Sequence, residues 1–144
     1  MKISAKTEYA CIAMLELASR QGSGEPVRIR KIAERHDVPP RFLVQILLQL
    51  KGAGLVRSTR GAAGGYHLER PPEEVSLGEV MRIIEGSGKS NGMTTSASPD
   101  SPAVKALSQA WSDVDAVQRD MLNKTTFADL LERARCHDDR MYYI

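Results

Sequence analysis

Apolar residues recur at helical spacing through the first half of the chain and predict three helices. The first covers residues 7–20 and is apolar nearly all round, so we expect burial on more than one side, as between two subunits. The second covers residues 29–36, and the third begins at Pro40, because proline is well tolerated at the first helical position. A short helix, a tight turn at residues 36–38 and another helix form the spacing of a helix-turn-helix.

Two faces alternate along the third predicted helix. The inner face is apolar and consists of Leu43, Ile46, Leu47 and Leu50. On the outer face, a polar stripe of residues four apart is predicted at Arg41, Gln45 and Gln49. Taken alone, such a stripe is typical of a solvated helix surface.

The pattern changes to a short hairpin after the third helix. Gly52 and Gly54 can end a helix, and residues 55–59 are predicted as a strand. Glycines 61, 64 and 65 indicate a tight turn, and residues 66–68 return as the second strand. A basic, glycine-rich hairpin that follows a helix-turn-helix is the outline of a winged helix-turn-helix.

The second half is predicted to be helical around one flexible loop. A capping box at Ser76–Glu79 starts a helix, residues 86–102 form the loop, and Pro102 starts a long helix that ends near residue 123. Thr125 is expected to cap a last, short helix. The long helix carries an apolar stripe near heptad spacing that we expect to contact a twofold mate, made of Val104, Leu107, Trp111, Val114 and Met121.

These elements predict a mainly α fold, a winged helix-turn-helix with a two-stranded wing and a long C-terminal dimerisation helix. Residues 1–72 would form the DNA-binding domain, and residues 73–144 the dimerisation helices, the loop and a C-terminal tail. Charge supports this division, because residues 1–72 hold 12 Lys and Arg against 6 Asp and Glu, whereas residues 73–144 hold 8 against 12. Only the front half is therefore suited to a polyanion.

With the turn, the hairpin and the basic front half, the outer stripe of the third helix favours DNA over a solvated face. Arginine can donate two hydrogen bonds to guanine, and glutamine can pair with adenine, while Phe42 could touch a thymine methyl. Arg57, Arg60 and the backbone of residues 61–65 would hold phosphates or enter the minor groove.

Other functional classes lack support in the sequence. No nucleophile–base pattern or pair of acids suggests an enzyme, and two cysteines do not make a disulfide framework. The run Cys136-His137-Asp138-Asp139 is a poor metal site, because four neighbouring residues cannot all close on one ion, and we expect an exposed tail there. Cys11 is expected to be a small core residue. Without an 18-residue apolar run or a signal peptide, we expect a cytoplasmic protein.

The segment from Leu50 to Tyr66 resembles the signature of the Rrf2 family of bacterial winged-helix regulators, the group of IscR, NsrR and CymR. Residues 1–4, Tyr9-Ala10 and residues 76–86 fit the same family. The resemblance implies a homodimeric transcription factor, usually a repressor, that binds a palindromic operator. It implies that Tyr9, Arg41, Phe42, Gln45, Arg60 and Gly61 lie at the DNA. The full set of candidate DNA contacts is Lys2, Ser4, Tyr9, Arg30, Lys31, Pro40, Arg41, Phe42, Gln45, Gln49, Ser58, Arg60, Gly61, Gly64 and Gly65.

Two departures from the family pattern matter. Val44 stands where the family often has a glutamate. The operator sequence of another member is therefore not carried over to this chain. Iron–sulfur members place three cysteines in the region that corresponds to residues 86–102, and this region has none. We therefore expect no iron–sulfur cluster and no other cofactor.

The cysteine-poor members of the family include the repressor of cysteine metabolism, and residues 140–144 look like the tail of that repressor. The tail of serine acetyltransferase likewise ends in an isoleucine, and its carboxylate binds in the active site of O-acetylserine sulfhydrylase. The resemblance thus suggests a link to sulfur metabolism and a tail, Tyr143-Ile144, that binds that enzyme. The alternative function is a protein-interaction adaptor that works through its tail with little DNA binding.

Overall fold

The computed structural model describes residues 1–86 and 97–142, with side chains as far as residue 138. It contains six α-helices and one two-stranded sheet in this described part. In chain order the elements are α1 (Ala5–Ser19), α2 (Ile29–His36), α3 (Pro40–Gly52), β1 (Val56–Thr59), β2 (Gly65–Leu68), α4 (Leu77–Glu85), α5 (Pro102–Lys124) and α6 (Phe127–Tyr142). The winged helix-turn-helix that the sequence predicts is confirmed.

Helix α1 lies at the centre of the core and packs against α2, α3, α4, α6 and β2. It begins where the Ser4 Oγ accepts a hydrogen bond from the Thr7 backbone N–H at 3.1 Å. Small residues on α1, namely Ala10 and Ala13, are fully buried, which lets the neighbouring helices approach closely. Burial on several sides explains why the helix is apolar nearly all round.

The two halves of the chain share one hydrophobic core. Val75, Val80, Ile84 and Phe127 are buried in the same cluster as the inner faces of α1 and α3. The division predicted at residue 72 therefore does not separate two cores. Helix α5 differs, since it contacts α4 but buries none of its own residues.

The C-terminal helix corrects two sequence predictions. Thr126, rather than Thr125, caps α6, because its Oγ1 accepts from the Asp129 N–H at 3.1 Å while the Asp129 carboxylate accepts from the Thr126 N–H at 3.0 Å. The helix is also 16 residues long rather than short, and Cys136 and His137 are helical residues rather than part of a tail.

Candidate nucleic-acid interface

The helix-turn-helix is formed by α2, a tight turn and α3. Asp37 ends α2 in the left-handed conformation, with φ of 53°, and its backbone N–H donates to the Ala33 carbonyl. Val38 is buried and anchors the turn, and Pro40 begins α3 as predicted. All four residues predicted for the inner face of α3 are fully buried: Leu43, Ile46, Leu47 and Leu50.

The outer face of α3 differs from the predicted polar stripe at one position. Arg41 and Gln45 are exposed as predicted. Gln49 is only partly exposed, and its Oε1 is buried with no hydrogen-bond partner among the described residues, so its predicted place in an exposed stripe is wrong. Val44 and Leu48 are exposed on this helix instead, and the prediction had not included either of them.

An aromatic contact fixes the beginning of α3 against α1. The rings of Tyr9 and Phe42 lie 5.7 Å apart between centroids and are tilted by 40°. The Arg41 guanidinium carbon lies 5.0 Å from the centroid of the Phe42 ring, a cation–π geometry. Three predicted DNA contacts, Tyr9, Arg41 and Phe42, therefore adjoin one another.

The wing pairs β1 with β2 in antiparallel register, with Val56 opposite Leu68 and Thr59 opposite Gly65. Arg60 and Gly61 lie at the exposed tip, and Gly61 has φ of 109°, which favours glycine. Among the described residues Arg60 has no carboxylate partner, so its charge is available to a ligand.

Two other basic residues near the wing already have partners. Arg57 lies 3.8 Å from the Glu69 carboxylate in an exposed ion pair. Lys51 at the end of α3 donates to the Ser58 Oγ at 2.8 Å. This hydrogen bond joins the third helix directly to the wing, and it engages the predicted DNA contact Ser58.

Gly64 and Gly65 form the tight turn that the sequence predicts, and Gly65 also makes a close backbone contact that it did not predict. A Cβ on Gly64, which is buried, would lie 2.3 Å from the Thr59 carbonyl oxygen. A Cβ on Gly65 would lie 2.6 Å from the carbonyl oxygen of Val27, whose backbone pairs with Tyr66. The glycines therefore permit the turn and its contact with the loop before α2.

The remaining candidates lie on other exposed parts of the front half. Lys2 and Ser4 precede α1, and Arg30 and Lys31 lie on the first turn of α2. All four residues are exposed. Their contacts with DNA stay predictions, as do those of the α3 and wing residues.

A buried carboxylate that the sequence analysis missed supports the helix-turn-helix. Glu16 on α1 is 4 % exposed, and its Oε2 lies 3.1 Å from His36 Nε2 at the end of α2. Arg35 and Arg20 approach its Oε1 at 3.5 and 3.7 Å. The signal in the sequence was an acidic residue at an inner position of an otherwise apolar helix face.

The two cysteines lie on different helices. Cys11 is half-buried on α1, and burial, with a smaller contribution from Glu8, raises the pKa of its thiol to about 11. Cys136 is exposed on α6. Within the described residues, no group of three His, Cys, Asp or Glu side chains could hold a metal ion.

The loop region where a three-cysteine iron–sulfur site would lie contains no cysteine at all. The donor set of this chain therefore does not fit such a cluster. Most of the predicted flexible loop falls on residues 87–96, outside the described part. None of the helices seen in residues 1–86 and 97–142 has the length and apolar character required to cross a membrane.

Helix α5 presents its apolar stripe to solvent. Of the five residues predicted for the stripe, Val104 is only partly exposed, whereas Leu107, Trp111, Val114 and Met121 are exposed. Val117 adds another exposed large apolar side chain. Tryptophan is half exposed here, at 50 %. A row of exposed apolar side chains on a 23-residue helix is typical of a protein–protein contact surface.

A family model described as "Rrf2: Iron-dependent Transcriptional regulator" matches residues 3–133. A protein of Mycobacterium tuberculosis that is provisionally named an HTH-type transcriptional regulator is 41 % identical over 131 residues, which covers 90 % of this chain and 81 % of the relative. The regulator CymR of Bacillus subtilis is 33 % identical over 130 residues, with 90 % and 89 % covered.

Solved structures show the same likeness. The structure of CymR, the global cysteine regulator of B. subtilis, matches with a TM-score of 0.79 at 32 % identity, and the match covers 92 % of this chain and 98 % of that one. The structure of IscR from T. potens matches with a TM-score of 0.73 at 34 % identity, with 93 % and 88 % covered. These relatives are transcriptional regulators and not enzymes.

Proposed function

This chain belongs to the Rrf2 family of transcriptional regulators, and we propose that it is a repressor that binds a palindromic operator as a homodimer. The observation that carries the proposal is the arrangement of α3. Its inner face is fixed in the core, its outer face presents Arg41 and Gln45 to solvent, and the wing that follows the helix carries Arg60 at its exposed tip.

In this proposal α3 lies in the major groove, where Arg41 and Gln45 contact base edges. Arg60 at the wing contacts the neighbouring backbone or minor groove. Lys2, Arg30 and Lys31 contact phosphates, which fix the register of the protein on the duplex without specifying sequence. The Lys51–Ser58 hydrogen bond supports the proposal because it joins α3 to the wing.

The homodimer is supported by the stripe on α5. Two copies of an apolar helix face can cover each other in a twofold arrangement, and twofold protein symmetry matches a palindromic site. An exposed Trp111 between Leu107 and Val114 provides a large surface for that contact. Binding to chromosomal DNA would place the protein in the cytoplasm.

A role in cysteine or sulfur metabolism is a further part of the proposal. It is supported by the similarity to CymR, which is described as the global cysteine regulator of B. subtilis. The proposed partner O-acetylserine sulfhydrylase would bind Tyr143-Ile144, which lie outside the described residues. Deletion of these two residues should abolish co-purification with that enzyme, and unchanged co-purification would reject the partner.

Genomic capture tests the DNA-binding function. Purified protein is mixed with fragmented DNA of its own genome at low salt, and the retained fragments are sequenced. We expect an enriched palindrome for the unmodified protein and none for Arg41→Ala/Arg60→Ala. The control Arg133→Ala/Arg135→Ala removes the same charge from exposed positions of α6 and should retain the palindrome. If the unmodified protein enriches no sequence yet retains a protein partner, the adaptor function is favoured.

A further inference from the structure

The outer face of α3 carries an apolar ridge formed by Val44 and Leu48. Their side chains are 45 % and 56 % exposed. Residues four apart are neighbours on a helix surface, so the two aliphatic groups are adjacent. Single exposed leucines are ordinary, but this pair lies on the helix that the proposed function places in the major groove.

Helical geometry places the ridge where a groove floor would be. Leu43, Ile46, Leu47 and Leu50 define the buried side of α3, and at 100° per residue Leu48 lies on nearly the opposite side, beside Arg41 and Gln45. The partly buried Gln49 does not occupy this position. The most outward part of the helix is therefore half polar and half aliphatic.

The chemistry of the face points to one occupant. Helix α3 contains no acidic residue and has Arg41 and Lys51 near its two ends, so its surface is complementary to a polyanion. The apolar group that a polyanionic duplex offers in its major groove is the C5-methyl of thymine. A carboxylate, which accepts from the cytosine amino group, is absent from this helix.

We propose that Val44 and Leu48 are specificity-determining residues that contact thymine methyl groups in each operator half-site. The inference rests on the proposed DNA-binding function and adds the bases that the site selects. Arg41 and Gln45 supply hydrogen bonds to purines, while the ridge excludes water from the thymine methyls and disfavours cytosine, which has none.

Deoxyuridine scanning of the captured operator tests this inference, because deoxyuridine lacks only the methyl of thymine. Each thymine is replaced in turn, and binding is measured by fluorescence anisotropy. We expect at least one position per half-site where the unmodified protein loses about fourfold in affinity, the factor that corresponds to one buried methylene-sized group. Replacement of a flanking thymine outside the half-sites is the matched DNA control.

Protein variants assign the effect to the ridge. In Val44→Ala or Leu48→Ala, the loss of affinity caused by deoxyuridine at one position should shrink to within about twofold, because the thymine methyl at that position no longer has a protein contact to lose. Val44→Thr, which keeps the branched shape and one methyl, should retain part of the sensitivity. Both residues are exposed, so the variants should keep the circular dichroism spectrum and Tm of the unmodified chain.

The outcomes separate the inference from the proposed function. Failure to enrich any DNA sequence would overturn both. An operator whose binding does not respond to deoxyuridine, or whose response persists in the alanine variants, would overturn the thymine contact and leave the regulator function intact. A change of oligomeric state in Leu48→Ala would show that the ridge contacts a second copy, and would also overturn the inference.

Discussion

The Thr7 hydroxyl on α1 donates a hydrogen bond of 2.9 Å to the Glu85 carboxylate at the end of α4, although the two residues are 78 positions apart in the chain. The Ser4 hydroxyl donates to the Thr7 Oγ1 at 3.0 Å, which extends the chain of hydrogen bonds to the N-terminal cap. The segment that carries the candidate DNA contacts Lys2 and Ser4 is thereby attached to the end of α4.

Replacement of Thr7 should destabilise the fold through this hydrogen bond. Thr7 is buried, so Thr7→Val removes the donor to Glu85 and the acceptor for Ser4 while it keeps the side-chain volume. We expect a loss of about 1–2 kcal/mol in the free energy of unfolding, measured by urea denaturation. Thr7→Ser keeps the hydroxyl and should lose less, and equal losses in both variants would contradict the role of the hydrogen bond.

Alanine should be tolerated at Gly52, at the end of α3, but not at Gly64 in the turn of the wing. Gly64→Ala places a Cβ 2.3 Å from the Thr59 carbonyl oxygen, so the turn must distort. Gly52→Ala at the end of α3 meets nothing within 4 Å and serves as the control. We expect a lower Tm and weaker DNA binding for Gly64→Ala only. A wild-type Tm for this variant would show that the wing accommodates the methyl without strain.

Cys11 should react slowly with thiol reagents at neutral pH. Its pKa of about 11 keeps the thiol protonated, and the thiolate is the nucleophile. In Cys136→Ser, where Cys11 is the remaining cysteine, iodoacetamide at pH 8 should modify the native protein much more slowly than the urea-unfolded protein. Equal rates in the two states would contradict the protection of Cys11.

The raised pKa of Cys11 also makes the free energy of unfolding depend on pH in alkaline solution. The unfolded thiol ionises near its ordinary pKa of 9.0 and the folded thiol near 11, so between these values the unfolded state binds fewer protons. This group therefore lowers the free energy of unfolding as pH rises from about 9 to 11. In Cys11→Ala the decline over that range should be smaller, as measured by urea denaturation at each pH.

Negative charge introduced into the apolar stripe of α5 should dissociate the proposed dimer into monomers. Leu107→Glu/Val114→Glu places two carboxylates on the exposed apolar row, where a partner copy would have to desolvate them. Sedimentation velocity should give a monomer for this variant and a dimer for the unmodified chain. Ala116→Glu lies on the opposite side of the helix and should remain dimeric. A dimer in both variants would exclude this stripe as the interface.

Much of the fold could be predicted because the local signals agree. The bounds of α2 and the start of α3 follow from periodicity and from proline at the first helical position, and the wing follows from its glycines. The inner face of α3 is also predicted correctly, because its four leucine and isoleucine residues recur at helical spacing and form one apolar face that the core buries.

The differences from the sequence analysis arise where side-chain contacts decide the outcome. Gln49 was predicted by spacing alone to be exposed, but packing encloses its Oε1. The buried Glu16 is approached by Arg20 one turn along the chain and by Arg35 and His36 from α2, and the two contacts from α2 cannot be seen in the local pattern of α1. Thr126 caps α6 through reciprocal hydrogen bonds with Asp129. Because Thr125 and Thr126 are adjacent, the sequence alone does not show which of the two is the cap.

The most direct test of the central claim is the ratio of affinities for the captured operator and for a scrambled duplex of equal composition at physiological salt. We predict a Kd of about 10⁻⁸ to 10⁻¹¹ M for the operator and binding to the scrambled duplex at least about 10³-fold weaker. Arg60→Ala should reduce the operator affinity. Equal Kd values for the two duplexes would contradict sequence-specific regulation by this chain.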